Sequence, residues 1–114
     1  MDRLHYAGSS ILTGTAIAHA LLDYAQALAG AGDSATVEVP TLNEDGSRGR
    51  SEVLIGPASQ LISDSEPSPY DEIVDEDLVA HLRDVSARVR NDRSPSPPAG
   101  MIQDEFDDGY ADEF

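Results

Sequence analysis

His19 and Asp23 stand four residues apart, with His5 and the Ser9-Ser10 pair a short way upstream. Residues at i and i+4 share a helix face, so His19 and Asp23 have the spacing of a base and its orienting carboxylate. A serine beside a histidine is the minimum for nucleophilic hydrolysis. A small hydrolase or ligand-binding domain built on His5, His19 and the Ser9-Ser10 loop requires a pocket that brings the two histidines together. The commoner fate of such a His–Asp pair is a surface hydrogen bond or a weak ion pair. The stretch GSSILTGT has no Lys and matches no phosphate-loop fingerprint, so loop and helix-cap duty is the simpler reading of its serines and threonines. No catalytic residue is assigned.

Oxygen ligands are plentiful. Thr41, Asn43, Asp45, Gly46 and Glu52 nearly reproduce the spacing of a calcium loop, but the first Asp is missing and Arg48 stands inside it. The flanking segments alternate as strands do, so a hairpin turn is the better reading. Asp71, Glu72, Asp75, Glu76 and Asp77 cluster before a helix start, where acids offset the helix dipole. No metal site and no cofactor is assigned. The chain has no Cys, hence no thiol nucleophile, disulfide or zinc–thiolate site.

The most distinctive pattern lies at the C-terminal end. Ile102, Phe106, Tyr110 and Phe114 recur every four residues among Asp and Glu. On a helix they form one slowly drifting apolar stripe, the anchor spacing of a segment that docks in a groove. Asp107 and Asp108 stand beside the stripe as rim charges. Alone, residues 101–114 bury too little surface to fold, and Gly109 weakens the helix. The competing reading is a solvated tail that serves solubility only.

The charge is distributed to match. The chain has 22 Asp+Glu against 7 Lys+Arg, a net charge of −15. Residues 1–56 carry 7 acids and 3 Arg, whereas residues 57–114 carry 15 acids and 4 Arg. Halophilic adaptation spreads acids over a whole fold, and here the first half is spared. Like charge repels nucleic acid and anionic membrane surfaces. The longest apolar stretch, residues 16–31, is interrupted by His19, Asp23 and Gln26, which excludes a membrane span. No signal-peptide pattern opens the chain, so a cytoplasmic protein is expected.

Residues 3–7 read as a first strand closed by Gly8-Ser9-Ser10. Residues 15–29 read as a helix, with Ile17, Leu21, Tyr24 and Leu28 on one face and Gly30 and Gly32 as stops; Ser10, Thr13 and Thr15 are its candidate caps. This helix is apolar around most of its circumference, so it needs cover from a sheet and from a second helix or another subunit. Residues 35–42 and 49–55 form a hairpin across residues 43–47, with Pro40 marking an edge or a bulge, and residues 60–63 form one more short strand. Residues 65–70 are extended. The second helix is capped by Asp75, lined by Leu78, Leu82, Val85 and Val89, and preceded by Val74, spaced to staple onto Val79.

The expected fold is thus α+β, a small β-α-β-β-(β)-α domain over residues 1–92. Its helices pack on a three- to four-stranded sheet whose first two strands, flanking a helix, are read as parallel. A Pro/Ser linker (93–100) and a flexible acidic-aromatic tail (101–114) follow. The expected function is a non-enzymatic protein–protein interaction or accessory subunit. Its C-terminal segment binds a basic protein partner, with self-association as a further expectation and no direct contact to nucleic acid or membrane.

Overall fold

The computed structural model describes residues 1–93. Residues 94–114 lie outside the described residues; they hold nearly all of the expected linker and all of Ile102, Phe106, Asp107, Asp108, Tyr110 and Phe114.

Among the described residues, seven elements follow in the order β1 (Asp2–Tyr6), β2 (Ser9–Thr13), α1 (Thr15–Ala31), β3 (Ala35–Leu42), β4 (Arg48–Ile55), β5 (Leu61–Ser65) and α2 (Glu76–Arg93). The fold is α+β, but the order is ββαβββα. The segment expected to be a loop after the first strand is itself a strand. Ala7 and Gly8 both take positive φ, 51° and 79°, which is the backbone of a two-residue primed turn and folds β2 straight back on β1. Nothing in an Ala-Gly-Ser-Ser run announces such a turn, because Ala seldom occupies a left-handed position.

The strands form two sheets rather than one. The first has the order β2-β1-β5 and the second is the hairpin β3-β4. All pairings are antiparallel, and β1 does not pair with β3, so the expected parallel crossover is replaced by hairpins. The β3–β4 hairpin turns where the sequence reading placed it. Asn43 N–H donates to Ser47 O at 2.8 Å, and the Asp45 carboxylate accepts from the Ser47 amide at 2.9 Å. These are bonds of a tight turn, and the calcium-loop spacing dissolves into it: Thr41 is buried on β3 while Glu52 stands exposed on β4.

The core gathers around α1. Ile17, Ala18, Ala20, Leu21 and Leu28 are buried with Leu4 and Leu12 of the first sheet, Val37, Val39, Val53 and Ile55 of the second, and Leu82 of α2. The cover that α1 demands therefore comes from two sheets and α2 within one chain. Helix α2 packs on α1 rather than on a sheet. Leu82 is buried, with Leu78, Val79 and Val89 partly buried against the same cluster. Ser86 is buried too and donates to the Leu82 carbonyl at 2.6 Å, so its hydroxyl is satisfied within the helix. Asp75 caps α2 by accepting from the Leu78 amide at 3.0 Å. The expected staple is displaced by one residue: Val74 is 68% exposed, and Ile73 is the side chain that enters the core.

None of the three candidate side chains caps α1. Its N-cap is Gly14, and its first free amide, Thr15 N–H, donates to the Glu72 carboxylate at 2.6 Å. The lack of a side chain at position 14 is required, since a Cβ there would lie 1.8 Å from the carbonyl oxygen of Ile73. The segment before α2 thus runs directly against the start of α1. At the other end the amides of Gly32 and Asp33 return to the carbonyls of Ala29 and Leu28, closing the last turn.

Candidate functional site

Strand alternation separates the residues that could do chemistry. On β1, Asp2 and Leu4 are buried, so Arg3 and His5 face the opposite way. His5 Nε2 lies 3.1 Å from the Asp64 carboxylate on β5, and both side chains are substantially exposed. Ser10 is the cross-strand neighbour of His5, and its Oγ accepts from Arg3 at 3.2 Å. Arg3 also grips Glu66 through Nε and Nη2 at 2.7 and 2.8 Å, a bidentate geometry whose hydrogen bonds hold the Glu66 carboxyl below its usual range.

His19 belongs to the other face. Its Nε2 is 3.5 Å from the carboxylate of Asp2, which is buried and accepts hydroxyl bonds from Thr15 at 2.7 Å and Ser63 at 2.8 Å. Burial is the largest single influence on Asp2 and opposes ionisation. The Thr15 and Ser63 hydroxyls, aided by the His19 and N-terminal charges, outweigh it and leave the carboxyl below its ordinary range. The two histidines therefore serve different carboxylates on opposite faces of one sheet, and the structure does not bring them together with Ser9 and Ser10.

Asp23 does not orient His19. It accepts from Arg90 at 2.8 Å and lies 3.1 Å from Arg83. The hydrogen bond from Arg90, with that from Arg83, holds its carboxyl low against the cost of partial burial. This is a clasp between α1 and α2. The acids before α2 are likewise divided: Asp75 caps, Glu72 reaches the start of α1, and no group of three potential metal ligands occurs among the described residues.

What the fold does assemble is an apolar groove. The β1–β2 turn, the end of β4 and the loop leading into β5 enclose an open concavity of about 690 Å³. His5, Tyr6, Leu54, Pro57, Ala58 and Ile62 line it. Leu54 is 55% and Ile62 60% exposed, a large fraction for side chains of this size. The Tyr6 hydroxyl donates to the Leu54 carbonyl and fixes the floor against β4. One signal for Leu54 was present in the sequence. Val53, Leu54 and Ile55 are consecutive apolar residues, and a strand that buries the first and third must turn the second outward. Asp2, Thr15 and Ser63 gave no comparable signal, since Thr15 reaches Asp2 only through the β1–β2 hairpin and Ser63 only through the antiparallel pairing of β5 with β1.

Compared with protein-family models, with curated proteins and with solved structures, the chain matches none. No helix among the described residues is long and apolar enough to cross a membrane.

Proposed function

We propose that this chain is a non-enzymatic interaction or accessory subunit that holds a basic protein partner through residues 101–114. Ile102, Phe106, Tyr110 and Phe114 are the apolar anchors, and Asp107 and Asp108 belong to the charged rim. One observation carries the reading: most of the described arginines of the domain are already engaged. Arg3, Arg50, Arg83, Arg88 and Arg90 each pair with an acid of the same domain. An acidic segment that docks on a cation-rimmed groove thus finds little to bind on its own fold, and its complement belongs to another molecule. A larger assembly fits this description, as does a nucleic-acid-binding protein whose basic surface the segment masks.

The test compares two double variants in affinity purification from the native cell. Phe106→Ala with Tyr110→Ala removes two anchors and abolishes recovery of the partner while the domain stays folded. Asp107→Asn with Asp108→Asn chiefly slows association and weakens its salt dependence, because rim charges steer encounter more than they hold the complex. If the aromatic pair is silent and loss of the acids promotes aggregation instead, the segment serves solubility and the proposal fails.

A further inference from the structure

We infer that the groove between β4 and β5 is a second docking surface, which takes an apolar side chain flanked by Arg or Lys on a protein segment. The floor is apolar and uncovered: Leu54 and Ile62 stand more than half exposed on either side of the loop that carries Pro57 and Ala58. Scattered single exposed apolar residues need no explanation, whereas Leu54 and Ile62 share one concavity, the form that binding sites take.

The rim selects the partner. Glu52 lies two residues before Leu54 and so on the same exposed face of β4; Asp64 lies two residues after Ile62 on the exposed face of β5, 3.1 Å from His5 Nε2. Asp33 precedes Ser34, a wall of the groove, and its backbone packs beside Gly56. All three acids are exposed. Glu52 is also directly opposite Glu38 in the hairpin register, a like-charge pair that costs stability. Arg50 relieves only Glu38, at 3.1 Å, and Glu52 has no ion-pair partner among the described residues. A cation arriving beside Leu54 meets an uncompensated carboxylate there. The same rim argues against a second copy of this chain, since a net charge of −15 on each would set acid against acid. This surface does not depend on residues 101–114, so each can fail without the other.

The probe is a capped Gly-Arg-Leu-Arg-Gly peptide titrated into the full chain, with methyl resonances followed by NMR. The expected result is a saturable shift of the Leu54 and Ile62 methyls. Peptides with Ser in place of Leu, or Glu in place of Arg, should bind at least about tenfold more weakly. Leu54→Ser with Ile62→Ser, both at exposed positions, should abolish the peptide-induced shifts of the Ala7 and Ala58 methyls, which line the same groove, and leave the remaining spectrum in place. Leu54→Thr with Ile62→Thr, which keeps strand-favouring residues, should do the same. Phe106→Ala with Tyr110→Ala should leave the groove shifts intact. Equal binding of the Ser peptide would mean charge attraction alone and overturn the inference. So would shifts that avoid Leu54 and Ile62, or that vanish with the aromatic pair, or no binding at millimolar peptide.

Discussion

Asp2 is a carboxylate taken out of water and kept ionised by what surrounds it. Its folded-state pKa lies below the unfolded one. The stability it contributes is therefore present above the unfolded value of about 3.9 and is lost as the pH falls through the folded value. Asp23 and Glu72 are lowered as well and act in the same acid window. Asp2→Asn keeps the shape and removes the charge from the Thr15 and Ser63 hydroxyls. It should cost on the order of 1.5–3 kcal/mol at pH 7, the range for hydrogen bonds to charged groups. The cost should shrink as the pH is taken below 4, so that urea unfolding curves of the two proteins converge in acid. Curves that stay parallel from pH 7 to pH 2 would mean that Asp2 is not ionised in the fold. Gly14 tests a different constraint at this scale. Gly14→Ala forces a methyl group into the Ile73 carbonyl. A backbone shift at that junction should cost about 1–3 kcal/mol or more, seen as a lower denaturant midpoint with an unchanged slope.

Among the elements, α1 and α2 depend on each other more than on their own sequences. α1 has no side-chain cap of its own and borrows Glu72; α2 buries Leu82 against the α1 cluster, and Asp23 is clasped by Arg83 and Arg90 across the pair. Leu82→Ala should cost about 2–4 kcal/mol in equilibrium unfolding, as deletion of a buried Leu does. A change within roughly 0.5 kcal/mol, the size of surface effects, would mean that the helices do not pack. Much at this scale could be read from the chain. Periodicity gave both helices, the turn residues 43–47 gave the hairpin, and Asp75 gave a cap. What could not be read depended on an unsignalled turn or on distant partners. β2 exists because a turn with Ala at positive φ returns it onto β1, and β5 extends to Ser65 because β1 offers it a full edge. His19 was adjacent to Asp23 on paper, yet folding gives each a stronger partner from elsewhere in the chain. The acidic-aromatic segment was conspicuous in sequence, whereas the groove emerged only when the β4–β5 loop placed Leu54 and Ile62 together.

For the whole molecule the governing quantity is a net charge of −15. Self-repulsion on that scale opposes the compact state, while exposed ion pairs such as Arg88–Asp84 and Arg50–Glu38 are each worth at most about 1 kcal/mol. Salt screens both, and the repulsion involves many more charges. Raising sodium chloride from about 20 mM to 0.5 M, which contracts the screening length severalfold, should therefore increase the thermal midpoint. A falling midpoint would mean that the internal pairs outweigh the excess charge.

The central place of β1 has a kinetic consequence. Its pairing with β2 closes a loop of two residues, but its pairing with β5 joins the two ends of most of the domain, Asp2 opposite Ser65. The first hairpin can zip as soon as it is made, and then waits with one edge bare until the chain has laid down α1 and the second hairpin. Closing that edge carries a large loop-entropy cost, as does docking α2 on α1, so both long-range steps should slow refolding. During the wait the bare strand is open to the wrong chain, which makes high concentration more hazardous to this protein while it folds than after it has folded.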